Sequence, residues 1–433
     1  MKRISLLTAF IGLCLILSWG FLSIPAIGDE TISVKIDNTV TTVSGYGVVA
    51  IAKPITFNKI SLFIISPARK DTKKPQEFIT LKEGLAKRVV TVSEKESATV
   101  GTLRVINHSD KPLFIQGGDV VEGGQQDRTI PVSLVIQPRT TVDVPSLCVE
   151  PSRWTGASQF TKSNTYSCSN AMRLAILRRD QGGVWEQVRQ IKGKAEEITK
   201  QTSSTSSFTE EITNGQMRKA SNEYEKTFTK LVEQYPDALG IAYVLNGEIY
   251  AIEFFQNHLL FNKAYPKLIK AYAREAILNT ASPEKTKTIT EKEITGFLND
   301  LHNGKPIYDE CIGDSQIIRV ENDTGIYQEV IDTKSKTVVH RQYINKLTIP
   351  GEELGKRSSP GSSPQPPTPP VQPPTPPRPP TPTPPSPTTP SPYPPSDLGK
   401  SLPPGKIDLP PITTPPITTP TTPPVTPPLT PPR

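Results

Sequence analysis

Proline divides this sequence into a part that can fold and a part that cannot. Residues 351–433 contain 33 of the chain's 47 prolines. Each proline fixes φ and lacks a backbone N–H donor, so helices and central strands are excluded there. Repeats such as Pro-Pro-Thr-Pro-Pro at 366–370 favour an extended polyproline II chain with little apolar surface to bury. We therefore predict a disordered Pro/Thr-rich tail over 351–433.

This tail has three candidate roles. It is a spacer that carries the folded part away from a membrane or through a wall, a ligand for aromatic grooves of a partner, or a segment whose threonines carry glycans. The stiffness of an extended proline-rich chain favours the spacer.

The first 28 residues have the pattern of an export signal. Met1-Lys2-Arg3 precedes an uncharged, mostly apolar run over 4–28, and Ala26-Ile27-Gly28 is a small-residue pattern typical of a cleavage site. The same run is long enough to span a bilayer, so membrane attachment through residues 4–28 is the alternative. The prediction for 1–28 is a signal peptide or an N-terminal membrane anchor. Either one exports the rest of the chain to the periplasm, the cell surface or the medium.

The folded part is predicted over 29–350, and its charge is nearly balanced. The formal charge of +7 for the whole chain falls to +3 for 29–350, because Lys2, Arg3 and two surplus positive charges of the tail lie outside it. A nucleic-acid-binding protein carries a basic footprint that this balance does not provide. We expect no nucleic-acid partner.

Hydrophobic periodicity over 29–350 predicts an α+β fold. A β-rich part over 29–150 consists of short β-branched runs separated by turn residues. An α+β part over 151–350 contains helical patterns near 171–180, 184–199, 207–234, 266–278 and 290–301. Asn246-Gly247 between two apolar runs predicts a type I′ β-hairpin, and further strands follow from residue 315. Strands, helices, a hairpin, helices and strands in this order favour α+β over an alternating parallel sheet.

Two polar runs are the strongest candidates for a functional site. Residues 117–128 read Gly-Gly-Asp-Val-Val-Glu-Gly-Gly-Gln-Gln-Asp-Arg, and 148–154 read Cys-Val-Glu-Pro-Ser-Arg-Trp. Glycines let a ligand approach the backbone, and two arginines can hold a phosphate or carboxylate. The candidate ligand-binding residues are Gly117, Gly118, Glu122, Gly123, Gly124, Gln126, Asp127, Arg128, Arg153 and Trp154. The candidate catalytic acids or bases are Asp119 and Glu150.

The same two runs also have a purely structural interpretation. Residues 117–128 then form a tight double turn in which Asp119 and Asp127 accept hydrogen bonds from loop amides. Arg128 and Arg153 pair with Glu150 or Asp127 inside a packed interface. The sequence leaves both interpretations open.

Cysteine and metal patterns give little support for catalysis. Cys148 and Cys168 are candidates for a disulfide in an oxidising compartment, which leaves Cys311 over. No histidine lies near Cys148 in sequence, which disfavours a thiol nucleophile. No Cys-x-x-Cys, His-x-x-x-His or calcium-loop spacing is present, so no metal site is predicted and no cofactor is indicated.

Taken together, the two runs resemble the ARPP domain, the ARG and rhodanese-phosphatase-superfamily-associated protein domain. The matching positions are Gly118, Asp119, Gly123, Gly124, Gln126, Arg128, Cys148, Val149, Glu150, Arg153 and Trp154. Weaker similarity continues at Gln181, Trp185 and Val188, at Leu245-Asn246-Gly247, at Glu253-Phe254-Phe255, at Leu260-Phe261 and at Val339-His340. The resemblance covers nearly all of 29–344. It implies an association with ADP-ribosylglycohydrolase and rhodanese-phosphatase domains, and so a link to nucleotide or ADP-ribose metabolism.

The leading hypothesis is an exported, non-catalytic binding or scaffolding module of the cell envelope, whose partner is an unidentified small molecule or envelope component. The first alternative is a hydrolase or transferase acting on a phosphorylated or ADP-ribose-like substrate. Asp119 or Glu150 would then be the acid or base, and Arg128 and Arg153 would hold the substrate. The second alternative is a structural envelope protein in which the tail serves as a polyproline spacer.

Overall fold

The computed structural model describes residues 39–69, 74–95, 101–151, 157–203, 207–279, 287–302 and 304–352. The predicted signal or anchor at 1–28, the site candidates Arg153 and Trp154, and nearly all of the predicted tail lie outside these residues. Within them the chain forms twenty strands, seven α-helices and two short 3-10 helices.

The strands before the long helices are β1 (Thr39–Val43), β2 (Gly47–Ile51), β3 (Ile55–Phe57), β4 (Ile60–Pro67), β5 (Ile79–Thr80), β6 (Val90–Glu94), β7 (Thr102–Asn107), β8 (Leu113–Ile115), β9 (Asp119–Gly123), β10 (Arg128–Thr129), β11 (Leu134–Ile136), β12 (Thr141–Pro145), β13 (Leu147–Cys148) and β14 (Gln159–Tyr166). The later strands are β15 (Gly240–Leu245), β16 (Glu248–Phe255), β17 (Lys305–Ile312), β18 (Ser315–Glu321), β19 (Gly325–Asp332) and β20 (Thr337–Asn345). The helices are α1 (Leu81–Ala86), α2 (Asn170–Leu177), α3 (Gln181–Thr199), α4 (Phe208–Thr213), α5 (Gly215–Thr229), α6 (His258–Leu278) and α7 (Glu291–His302), with 3-10 turns at Leu231–Gln234 and Lys346–Thr348.

One antiparallel sheet of ten strands contains strands from both ends of the described chain. Its order is β1-β2-β4-β15-β16-β20-β19-β18-β17, with β3 paired to β4. The join between the early and late strands is the β4–β15 pair, in which Ile64 lies opposite Ile241. The sequence changes from a β-rich part to an α+β part near residue 150. This sheet contains strands from both sides of that position, so the change is one of composition.

Two smaller sheets come from the β-rich part. Seven strands follow the order β12-β7-β6-β14-β9-β10-β13, and three follow the order β11-β8-β5, in which β5 and β8 run parallel. The largest buried apolar cluster joins all three sheets to helix α6, with Leu62, Val120, Phe114 and Leu268 as members. The core therefore lies between the sheets and α6, and it holds the polar runs against the C-terminal half.

The α+β prediction is confirmed, and so is the hairpin. Asn246 and Gly247 join β15 to β16 with positive φ values of 51° and 76°. A type I′ turn requires positive φ at both central residues, and asparagine and glycine adopt it at least cost.

Two helix predictions were wrong in their boundaries. The helix expected from Pro266 begins at His258, where the Asn257 side chain accepts the Leu260 N–H, and Pro266 lies inside it. The single helix expected over 207–234 is divided at Asn214, whose ψ of 161° breaks the helical path. In the described part of the chain, no helix is long and apolar enough to cross a membrane.

Candidate functional site

Two carboxylates of the glycine-rich run, Asp119 and Asp127, accept hydrogen bonds from nearby backbone N–H groups. Asp119 Oδ2 accepts the Gln116 N–H at 3.0 Å, which tightens the turn before β9. Asp127 Oδ1 accepts the Gly123 N–H at 2.9 Å, which closes the turn between β9 and β10. Both carboxylates bond loop amides, as the structural interpretation of the sequence predicted.

The glycines in this run let strand β14 pack closely against it. Gly118 has φ of +98°, and a Cβ there would lie 2.6 Å from Ser167 Oγ. Gly124 has φ of +57°, and a Cβ there would lie 2.3 Å from the Phe160 ring. At these two positions the space that glycine leaves is filled by the protein itself.

The two polar runs meet in a buried cluster, the motif cluster, made of Gln126, Asp127, Arg128, Cys148 and Glu150. Gln126 Nε2 donates to Glu150 O at 2.8 Å, and Gln126 Oε1 accepts the Cys148 thiol at 3.1 Å. The Asp127 N–H donates to Glu150 Oε2 at 3.3 Å. Strand pairing of Arg128 with Cys148 brings the two runs into register.

Arg128 is fully buried and directed away from solvent. Its Nη2 lies 3.5 Å from Glu94 Oε1, and its Nη1 donates to Gln126 Oε1 at 3.4 Å. The expected acidic partner was Glu150 or Asp127, and the ion pair is made with Glu94 instead. Arg128 Nε has no hydrogen-bond partner among the described residues. In this arrangement Arg128 is not available to hold a substrate.

Cys148 is held as a neutral thiol. Its Sγ donates toward Gln126 Oε1 and Glu150 O, and burial raises its pKa. Its backbone N–H and C=O both bond the Gln181 side-chain amide at 2.8 Å, which fixes the start of α3 against β13. A buried thiol with a raised pKa is a poor nucleophile.

The remaining acidic candidates lie at the end and the side of β9. Asp119 is buried and forms an ion pair with Lys267 of α6, whose Nζ lies 5.3 Å from the centre of the Tyr166 ring. Glu122 is half-buried and accepts the Asn164 N–H at 3.3 Å and the Thr165 hydroxyl at 3.4 Å, and burial raises its pKa. Asp119 and Glu150 have different partners, and no contact in the described structure joins them.

A second buried polar cluster lies where the three sheets meet. We call it the glutamate cluster; it consists of Gln116, Ser133, Tyr166, Glu253, Tyr272 and His340. Glu253 on β16 is its centre and is fully buried. Its Oε1 accepts from Tyr272 OH at 3.3 Å and Tyr166 OH at 3.5 Å, and its Oε2 accepts from Gln116 Nε2.

His340 links this carboxylate to a serine. His340 Nε2 lies 3.2 Å from Glu253 Oε2, and its Nδ1 lies 2.9 Å from Ser133 Oγ. The Gly117 N–H donates to Ser133 Oγ at 2.9 Å. The result is a continuous chain from a backbone amide through Ser133 and His340 to Glu253.

A narrow cavity, partly open to solvent, lies beside the glutamate cluster. Gly117 and Gln342 line it, and both also bond cluster members: Gly117 bonds Ser133, and Gln342 Nε2 donates to Tyr166 OH at 3.0 Å. Arg173 of α2 forms part of the opposite wall. The cavity is too narrow at every point to admit a water-sized sphere.

Comparison with known families identifies the family to which this chain belongs. Residues 48–345 match the model of the ARPP-1 family, described as the ARG and Rhodanese-Phosphatase-superfamily-associated Protein domain. The match covers more than half of the 433 residues. This chain belongs to the ARPP-1 family. No curated protein and no solved structure matches it.

The ARPP-1 match contains both clusters and the cavity, since their residues all lie within 48–345. It confirms the family resemblance drawn from the two polar runs. The family description names associated superfamilies and specifies no reaction.

Cys148 and Cys168, the candidate disulfide pair, are not bonded to each other in the described structure. Cys148, Cys168 and Cys311 are all free, and the first two are buried. Cys148 is occupied by Gln126 and Glu150, while burial raises the pKa of Cys168 to about 12. In the described part of the ARPP-1 domain, no group of three or more His, Cys, Asp or Glu residues is arranged to hold a metal ion.

Sequence reasoning missed the glutamate cluster as a site. Ser133 and His340 lie 207 residues apart, and Glu253 and His340 lie 87 apart, so no local spacing joins them. One signal was present: Glu253 is the only charged residue of the apolar run 249–255, and such a residue on a buried strand needs polar partners.

Proposed function

We propose that this ARPP-1 protein is an exported, non-catalytic binding or scaffolding module of the cell envelope. The observation that carries the proposal is the inward orientation of the motif cluster. Gln126, Asp127, Arg128 and Glu150 are all buried and bonded within the fold, so they fix two loops against each other. An acid–base or substrate-holding residue has to reach a ligand, which these positions do not allow.

The ends of the chain support the envelope location. The uncharged run over 4–28 supplies a signal or anchor, and the proline-rich tail supplies a spacer between the folded part and its surroundings. In this proposal the tail contributes reach, and the ARPP-1 domain contributes a rigid surface for an envelope component.

Two measurements on the full chain test this proposal. Cell fractionation is expected to find the chain in the envelope or outside the cell, and a variant lacking residues 4–28 in the cytoplasm. Incubation with ADP-ribose and with phosphorylated nucleotides is expected to give no turnover. The proposal fails if the full chain stays in the cytoplasm, or if a substrate is turned over and the activity is lost in Asp119→Asn or Glu150→Gln without loss of folding.

A hydrolase is the second candidate, and the chain Ser133–His340–Glu253 favours it. A serine hydroxyl bonded to an imidazole that a carboxylate orients is the arrangement of serine hydrolases, although here the serine faces Nδ1. Ser133 Oγ would attack an acyl or phosphoryl centre and give its proton to His340, which would pass it to the leaving group. Ser133 is only 3% exposed, so this reaction needs the cavity side to open.

A serine-directed fluorophosphonate distinguishes the two candidates. The binding module predicts that the native full chain is not labelled. Labelling at Ser133 that disappears in Ser133→Ala, while the Ser163→Ala control still labels, would support the hydrolase instead.

A further inference from the structure

The two ends of the ten-stranded sheet differ in how their outer edges are protected. Strand β17, at one end, contains Pro306, Asp309 and Glu310, and its pairing with β18 is interrupted between Pro306 and Tyr308. Glu310 also forms an ion pair with Arg179. Proline, charged side chains and bulges are features by which natural proteins keep an edge strand from pairing with another chain. The β17 edge is therefore protected.

Strand β1, at the other end, has none of these features. It reads Thr-Val-Thr-Thr-Val, and it pairs with β2 without a break in register, from Thr39 opposite Ile51 to Val43 opposite Gly47. Among the described residues, no strand pairs with its outer edge. Every residue of β1 is β-branched, which favours regular extended backbone. An uncharged and regular edge of this kind is a template for a further strand.

Packing on the inner face holds β1 in place. Val43 is fully buried, in the same apolar cluster as Ile294 and Leu298 of α7. On the opposite face Val40 and Thr42 are exposed, and Val40 keeps 53% of its surface in contact with solvent. A strand that is already ordered loses little conformational entropy when a partner binds. The β1 edge is therefore preformed, and it carries an exposed valine.

We propose that the β1 edge pairs antiparallel with the β1 edge of a second copy of this chain. About a two-fold axis at Thr41, Val40 of one copy lies opposite Thr42 of the other, and Thr39 lies opposite Val43. Pairs of β-branched residues stabilise antiparallel strands, and like charges that face each other destabilise them. Because β1 has no charge, pairing with itself brings no like charges together. The strand is thus complementary to its own copy.

A second exposed valine supports a second copy as the occupant. Val48 of β2 lies opposite Thr42 and is also exposed. In the paired strands, Val40 of one copy extends the row formed by Thr42 and Val48 of the other copy. The self-pairing therefore gathers the exposed valines of both copies on one face of a continuous sheet. Stable interfaces bury about 1,200–2,000 Å², which is more than one short strand pair supplies. We expect a weak dimer that dissociates on dilution.

Sedimentation equilibrium of the full chain over a concentration series tests the pairing. We expect a reversible monomer–dimer equilibrium that Val40→Lys weakens about tenfold, because two valine–threonine pairs are lost and two ammonium groups are brought together. Ile307→Lys is the matched control, since Ile307 is 51% exposed but lies on β17, at the other edge of the sheet. It should leave dimerisation unchanged. Both positions are exposed, so the melting temperature should be the same in both variants.

A double variant tests the antiparallel register. Val40→Lys combined with Thr42→Glu places the new ammonium group of each copy opposite the new carboxylate of the other, so dimerisation should recover relative to Val40→Lys alone. Parallel or shifted pairing does not bring these positions together. A monomer throughout the series, the result expected if residues 29–38 cover this edge, overturns the proposal. Dimerisation that Val40→Lys leaves unchanged, or that the double variant does not restore, also overturns it. Each of these results leaves the proposed envelope function untouched.

Discussion

Three acidic side chains of the polar runs each accept a backbone N–H from a neighbouring loop. Asp119 accepts from Gln116, Asp127 from Gly123, and Glu150 from Asp127. A carboxylate that accepts a buried amide bond satisfies a donor that would otherwise cost about 1–3 kcal/mol. Residue types that suit acid–base chemistry thus serve here to define loop shape.

Gly124→Ala should destabilise the fold strongly. Alanine is strained at a φ of +57°, and its Cβ would lie 2.3 Å from the Phe160 ring, so backbone or ring must move. We expect a loss of about 2–4 kcal/mol in the free energy of unfolding, measured by urea denaturation. Gly193→Ala in α3 is the matched control, since nothing lies within 4 Å of its Cβ. It should gain roughly 0.5–1 kcal/mol. Equal effects of the two changes would contradict this account of the glycine-rich run.

Glu275→Gln should flatten the pH dependence of stability. Burial raises the pKa of Glu275 from 4.5 to about 7. Its contribution to stability is therefore fully present below pH 4.5 and is lost as the pH rises through 7. Glutamine stays neutral and keeps an acceptor for the Asn170 N–H. Between pH 5 and pH 8 the free energy of unfolding should fall by roughly 1–3 kcal/mol less in the variant than in the wild type. Parallel pH profiles of unfolding free energy would show that Glu275 does not titrate in this way.

At the scale of helices and strands, the sequence predicted those features that depend on neighbouring residues alone. Asn246-Gly247 specified its hairpin because positive φ is a property of the turn residues themselves. Pro266 led to a wrong prediction of where α6 begins. A proline inside a helix is tolerated when burial of the surrounding turns outweighs the one hydrogen bond that is lost, and α6 buries residues on both sides of Pro266. The break at Asn214 was missed because 207–234 has apolar residues at helical spacing on both sides.

Asn214 caps two helices at once, so its loss should cost more than loss of an ordinary cap. Its Oδ1 accepts the Met217 N–H at 2.8 Å at the start of α5, and its Nδ2 donates to Glu211 O at 2.7 Å in the last turn of α4. The free energy of unfolding should fall by about 2–3 kcal/mol in Asn214→Ala. It should fall by about 1 kcal/mol in Asn214→Asp, which keeps the acceptor. Ser169→Ala removes a single cap bond to Met172 N and should cost about 1 kcal/mol. Urea unfolding of the three variants checks the order; equal losses for Asn214→Ala and Ser169→Ala would refute the double cap.

At the scale of the whole molecule, long-range pairing determines both the core and the buried polar clusters. The motif cluster was predictable because its two runs lie close in sequence and share a strand pair at Arg128 and Cys148. The glutamate cluster was not, because Ser133, Glu253 and His340 come together only when three sheets assemble. The sequence also predicted one large folded part, but periodicity carries no information on which strands pair across it.

Truncation should separate the folded part from the tail. A chain ending at Glu352 is expected to melt within about 1 °C of the full chain, because a polyproline segment has little apolar surface to pack. A chain ending at Asn345 loses the Lys346–Glu321 and Arg178–Glu352 ion pairs and the bond from Asn170 Nδ2 to Thr348 Oγ1. It should melt several degrees lower. Calorimetry of the three chains measures their melting temperatures. A large fall in melting temperature on removing 353–433 alone would mean that the tail packs on the domain.

The pairing of β4 with β15 has a consequence for synthesis of the chain. As residues emerge in order, β4 has an unsatisfied edge until residues 240–245 are available, and the sheet is complete only after β20 has been made. Contacts this distant in sequence fold slowly, and open strand edges are prone to aggregation in the interval. Shielding the early strands until the late ones have been made would therefore reduce aggregation during synthesis.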